Sequence, residues 1–162
     1  MYRYGHAGAV LFLYAPLGAG LRVLGEPTLA LAGGVLAVAL SMLPDVDQFL
    51  PIDHRGPTHT VWFVAACGLL SALGGGLVSI LAGGFLGRPL LVAAVAGSAA
   101  TISLGSHLLA DAITPMGIRP FHPLSDRHYT LDLTPAKNPR ANVTLLGIGG
   151  GFALVCQLLV SL

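Results

Sequence analysis

Apolar residues in this chain run in long unbroken blocks, with the polar positions gathered between them. Five blocks can be drawn, about residues 6–24, 28–44, 58–86, 89–114 and 141–162, each bounded by charge, proline or glycine. Roughly 20 consecutive apolar residues carry an α-helix across a bilayer. The pattern therefore predicts an all-α, polytopic membrane protein of about five transmembrane helices. Two of the connections, "RVLGEP" and "GGFLGRP", are short and suit tight turns closed by glycine and reopened by proline at the next helix start. The other two, 45–57 and 115–140, are longer and hold most of the polar residues. The second contains Pro115, Pro120, Pro123, Pro135 and Pro139, which rule out a single helix and predict an irregular lid or short hairpin.

Composition agrees with the pattern. Of 162 residues, 54% are hydrophobic and 9% charged, with a mean hydropathy of +0.80. Five spans use most of the chain, so residues 1–162 are read as one integral-membrane domain in a lipid bilayer. A net charge of +1 without any basic run argues against a nucleic-acid partner. Cys67 and Cys156 lie inside apolar blocks in no metal or pairing spacing, and read as small core residues. The opening "MYRYGHAGAV" leads into an apolar run that no A-x-A-like site ends, so it is read as the first span. The glycine-rich "LGGGLVSILAGG" lacks the Lys-Ser/Thr of a phosphate loop and is expected to allow close helix packing.

Threading the five spans alternately through a membrane places the unusual polar residues together. His6 opens the first span, Asp45 and Asp47 close the second, His59 opens the third, and His107 and Asp111 close the fourth. All six then share one membrane face. Arg3, Arg55, Arg119, Arg127, Lys137 and Arg140 fall on the same face, against Arg22 and Arg88 on the other, so the positive-inside rule makes it cytoplasmic, with the amino terminus in.

Ionisable residues in an apolar span are costly and pair or do work. His107 and Asp111, four apart, share a helix face. Asp45 and Asp47 in "PDVDQFLP" would repel one another unless a cation or a proton lay between them. In "DHRGPTHTVWF", a helix starting at Gly56 or Pro57 would put His59 in its first turn and Arg55 just outside. Mixed imidazole and carboxylate ligands suit Zn²⁺ first, with Mn²⁺ or Fe²⁺ as alternatives, and the absence of thiolates argues against a structural zinc knuckle. Six side chains exceed the four ligands of one tetrahedral ion. Either two or more ions share carboxylates, or some of the six orient the others.

"PDVD", "HRGPTHT" and "GSHLLADAITPMG", followed by "RPFHPLSDR", resemble the signatures of the YdjM-type family of membrane-bound, metal-dependent hydrolases. The resemblance extends to "NPRANVTLLGIG" at the last span, and through it to the zinc-dependent phospholipase C and single-strand nuclease group, all-helical enzymes that cleave phosphoesters. It implies metal-ligand roles for His6, an aspartate of the Asp45/Asp47 pair, His59, His107 and Asp111. The expected activity is hydrolysis of a small-molecule or lipid phosphoester by a metal-activated water, with Asp45 or Asp47 as base and Arg55 and Arg127 gripping phosphate oxygens. The competing expectation is a metal-ion or proton-coupled transporter, or a metal sensor, using the same ligands.

Overall fold

The computed structural model describes residues 1–83 and 88–161. Five α-helices account for the apolar blocks: α1 Arg3–Val23, α2 Pro27–Leu40, α3 Val61–Ala82, α4 Pro89–Ala112 and α5 Pro139–Leu159. Each is long and apolar enough to cross a membrane once α2 is taken together with the 3-10 turn that continues it to Phe49. The end of the third predicted block, the "GGFLGRP" connection in part, and residue 162 lie outside the described residues. Pro27, Pro89 and Pro139 open their helices where a missing N–H loses nothing.

The bounds shift by a few residues from the predicted blocks, and at the start of α3 the shift matters for a site residue. Helix α3 begins at Val61, and Pro57–His59 forms a separate 3-10 turn. Thr60 causes the break: its backbone is extended, and its side chain caps α3 by accepting from the Phe63 N–H at 3.3 Å. His59 is thereby held in front of the helix, outside its first turn.

Helix α1 packs along α5 and α3 along α4, while α1, α2 and α4 meet in the middle. Val10, Tyr14, Ala37 and Ala99 fill that junction. The Tyr14 hydroxyl donates to the Ala30 carbonyl at 2.8 Å, and Ser103 Oγ donates to the Ala37 carbonyl at 2.6 Å. The α3–α4 pair is close because small residues face each other. A methyl group added at Gly75 would lie 2.8 Å from the Ala96 Cβ, and one at Gly97 would lie 2.9 Å from the Ala72 Cβ, so neither position accepts a side chain without the helices parting. Outward faces of α3 and α5 expose Leu69, Leu73, Ile80, Leu154 and Leu158, a surface that lipid covers and water would not tolerate.

The long connection after α4 folds back on itself. Ile118 and Tyr129 form an antiparallel bridge that closes the 119–128 tip, and the Pro120 carbonyl accepts from the Val61 N–H at 2.9 Å, which ties the tip to the start of α3. Its anchors therefore lie at the end of the bundle where α2 and α4 finish and α3 begins.

Candidate metal centre

Three segments bring the site together. The 3-10 turn Pro44–Phe49 turns Asp45 and Asp47 inward, the turn Pro57–His59 supplies His59, and the last turns of α4 supply His107 and Asp111 from one face. His59 and His107 are wholly buried, and Asp47 and Asp111 are 1% exposed. Two carboxylates and two imidazoles in such a place need compensation, and their geometry shows of what kind.

His107 Nδ1 lies 2.7 Å from the Ser41 carbonyl, which can only accept, so this nitrogen carries the proton. His59 Nδ1 lies 3.2 Å from Asp47 Oδ2 and 3.1 Å from Thr58 Oγ1, and the Thr58 hydroxyl itself donates to Asp47 Oδ2 at 3.1 Å. His59 Nδ1 is therefore a donor as well. With both Nδ1 atoms protonated, the two neutral rings turn lone pairs toward one another, their Nε2 atoms 3.2 Å apart. Asp111 Oδ2 stands 3.4 Å from His59 Nε2 and 3.6 Å from His107 Nε2, and Asp45 Oδ1 stands 3.6 Å from each. Asp111 Oδ2 is buried with no hydrogen-bond partner among the described residues. Four electron-pair donors thus converge with only a proton or a cation to reconcile them.

A cation fits. Ligand atoms about 2.0–2.1 Å from a tetrahedral ion are about 3.3 Å from one another. The five separations above run from 3.2 to 3.6 Å, and all four atoms lie within 4.8 Å of each other. Asp45, His59, His107 and Asp111 form a possible metal-binding cluster with this donor set. Nitrogen and oxygen donors of this kind suit Zn²⁺, Mn²⁺ or Fe²⁺ alike. His59, which lies between spans, shows the tension electrostatically: burial alone would lower its pKa, but contacts with Asp111 and Asp45 raise it above the usual histidine value.

The remaining predicted residues surround these four. Asp47 lies behind His59. Its Oδ2 accepts from the Arg55 backbone N–H at 2.8 Å as well as from Thr58, and its Oδ1 lies 2.9 Å from His54 Nδ1. It also forms a second grouping with Asp45 and His54. His6 stacks on His107, with ring centroids 3.7 Å apart and planes 3° from parallel. Its Nε2 is 2.9 Å from the Met1 carbonyl and 3.6 Å from Asp111 Oδ1, and its buried Nδ1 has no hydrogen-bond partner among the described residues.

Arg55 occupies a different place from the open fork expected for substrate. Its side chain is 8% exposed, with Nη2 on Asp111 Oδ1 at 3.0 Å and Nη1 donating to Thr114 Oγ1 and the Gly117 carbonyl at 2.9 Å each. Its backbone φ of 60° is left-handed, a conformation the Asp47 hydrogen bond to its N–H helps to hold. The Met1 nitrogen also contacts Asp111 Oδ1. Arg127 lies in the exposed tip, its guanidinium 5.2 Å from the centre of the Tyr129 ring and its backbone N–H on Ser125 Oγ.

Sequence reasoning did not single out Ser41, Thr58 or Thr114. Ser41 acts through its carbonyl, which has no sequence signature. Thr58 and Thr114 are neighbours of His59 and Asp111 inside the motifs, and their adjacency to ligands was the one signal available.

No curated protein and no solved structure matches the chain. One family does, through its model, along residues 1–161: the YdjM inner membrane protein family. The match takes in all five helices and every residue of the cluster, and the chain belongs to the YdjM inner membrane protein family.

Proposed function

We propose that this protein is a membrane-embedded, metal-dependent hydrolase acting on a phosphoester, and that Zn²⁺ is its metal. The observation that supports the reading most is the convergence of two imidazole Nε2 atoms and two carboxylate oxygens at the separations of one tetrahedral shell. A divalent ion held there supplies Lewis acidity and acidifies water toward neutrality. The chain's own residues do the rest. Ser41 and Asp47 fix which nitrogen of His107 and His59 faces the centre. Arg55 pins Asp111 Oδ1 and so aims Oδ2 inward. Asp45 has a side chain 12% exposed where those of His59, His107 and Asp111 are at 0–1%, so it is the member of the set that solvent reaches: by swinging off the ion its carboxylate would open the fourth position to water and stand beside it to take the proton. A site at the end of a lipid-covered bundle suits a lipid or lipid-linked head group arriving by lateral diffusion.

The test uses the detergent-purified, metal-loaded protein against phosphodiester and phospholipid substrates. Hydrolysis that a chelator abolishes and metal restores is the expected result. A protein that cleaves nothing across the panel yet moves metal or protons in proteoliposomes is a transporter, and the hydrolase reading falls.

The site face is proposed to be cytoplasmic, on the Arg/Lys bias. In a background lacking Cys67 and Cys156, Ser125→Cys is expected to react with an impermeant thiol reagent from the cytoplasmic side and Leu24→Cys, at the far end of α1, from the opposite side. The reverse labelling pattern would invert the topology, and labelling of both from one side would break the five-span arrangement.

A further inference from the structure

A second feature lies beside the cluster. A cleft of 330 Å³ opens between the Asp53–Gly56 loop and the hairpin, and His54, Arg55, Arg119, His122 and His128 line it together with Asp53. Its walls are rich in nitrogen. Arg119 is exposed and its side chain has no hydrogen bond or ion pair among the described residues, so its charge is uncommitted. Each histidine has one ring nitrogen spoken for: His54 Nδ1 on Asp47 Oδ1 at 2.9 Å, His122 Nδ1 on Asp126 Oδ1 at 3.0 Å, and His128 Nε2 on the Met116 carbonyl at 2.8 Å. Among the described residues the other nitrogen of each is left over, a hydrogen-bonding position open to the oxygens of a ligand. Arg55, which also lines the cleft, has a buried Nε–H with no acceptor among the described residues. Asp53 and Asp126 are the opposing charges, and both are exposed.

This combination selects an anion with several oxygens. We infer that the cleft is the docking site for the phosphoryl group of a phosphate ester, with Arg119 as its fixed cationic anchor. The assignment rests on the hydrolase reading for what happens next, but binding itself does not. Through His54, which touches Asp47, and Arg55, which touches Asp111, the cleft adjoins the cluster, so a group held there stands next to the proposed hydrolytic centre. Nearby Phe121 and Leu124 are 40% and 79% exposed, and Met116 in the cleft wall is 62% exposed. These place apolar surface beside the cationic cleft, as an amphipathic phosphate ester would require.

The experiment measures binding on the metal-loaded protein by calorimetry, using inorganic phosphate and dihexanoyl phosphatidic acid as probes. Both should bind. Arg119→Ala should weaken each by about ten- to a hundredfold, the scale of a lost charge-assisted hydrogen bond, with metal content unchanged. Arg88→Ala, at the other end of the bundle, should leave both unaltered. If the natural ligand is a lipid, the acylated probe binds more tightly than phosphate and Leu124→Ser removes the difference; if it is a soluble ester, the two bind alike. Either result supports the cleft. Phosphate binding that is absent in the parent, unchanged in Arg119→Ala, or equally reduced in Arg88→Ala overturns it. Arg119-dependent binding without hydrolysis of any ester would leave the cleft standing and remove the hydrolase reading instead.

Discussion

His107→Ala should leave the purified protein without its metal. The substitution removes one of four converging donors and the ring that the Ser41 carbonyl locks in place, and it takes away the surface on which His6 stacks. Asp111→Asn should act almost as strongly, because the amide keeps the shape of the side chain while surrendering the charge that faces His59 and His107. Asp47→Asn belongs at an intermediate level. Asp47 contacts the proposed metal site through His59 Nδ1, and loss of such an orienting partner weakens metal affinity by about ten- to a hundredfold without removing a ligand. Elemental analysis and chelator competition should therefore rank the parent above Asp47→Asn, and Asp47→Asn above the other two. Equal affinity in Asp47→Asn and the parent would remove the orienting role of Asp47.

The second large effect is on stability. Arg55→Ala is expected to destabilise the detergent-solubilised protein by about 3–5 kcal/mol, the usual loss when one partner of a buried ion pair is deleted. Asp111 Oδ1 loses its guanidinium, and Thr114 and the Gly117 carbonyl lose their donor. Arg55→Lys keeps the charge but has no planar fork to reach Asp111, Thr114 and Gly117 together, so it should fall between the two. The backbone provides an internal control. Since residue 55 sits at φ 60°, Arg55→Gly should be more stable than Arg55→Ala by about 1 kcal/mol, even though both lack the guanidinium. Denaturant or thermal unfolding of the three variants checks the order. An Arg55→Ala protein as stable as the parent would mean that the guanidinium is not holding Asp111.

Much of this arrangement was legible in the sequence. Helix bounds follow apolar blocks because a membrane span has a length requirement that a sequence displays directly: α4 at Pro89–Ala112 lies within the predicted 89–114. Alternate threading was enough to bring His6, Asp45, Asp47, His59, His107 and Asp111 to one end, and there the structure puts them in contact. The division of labour among them was not legible. Asp45 and Asp47 are two residues apart and chemically identical, and only the 3-10 turn decides that Asp45 faces the Nε2 atoms while Asp47 faces the Nδ1 side of His59. Arg55 looked like a free fork because its partners, Asp111, Thr114 and Gly117, are more than fifty residues away. Thr60 was read as part of a helix, yet its capping hydrogen bond is what separates His59 from α3.

Asp45, His59, His107 and Asp111 are proposed to hold one metal ion between them. X-ray absorption at the metal edge of the purified, reloaded protein tests it most directly. About one ion per chain is expected, with a shell of nitrogen and oxygen at about 2.0–2.1 Å, two of the neighbours showing the outer-shell scattering of imidazole and none being sulfur. A protein that retains no ion after reloading, or an ion bound through Cys67 or Cys156, would contradict it.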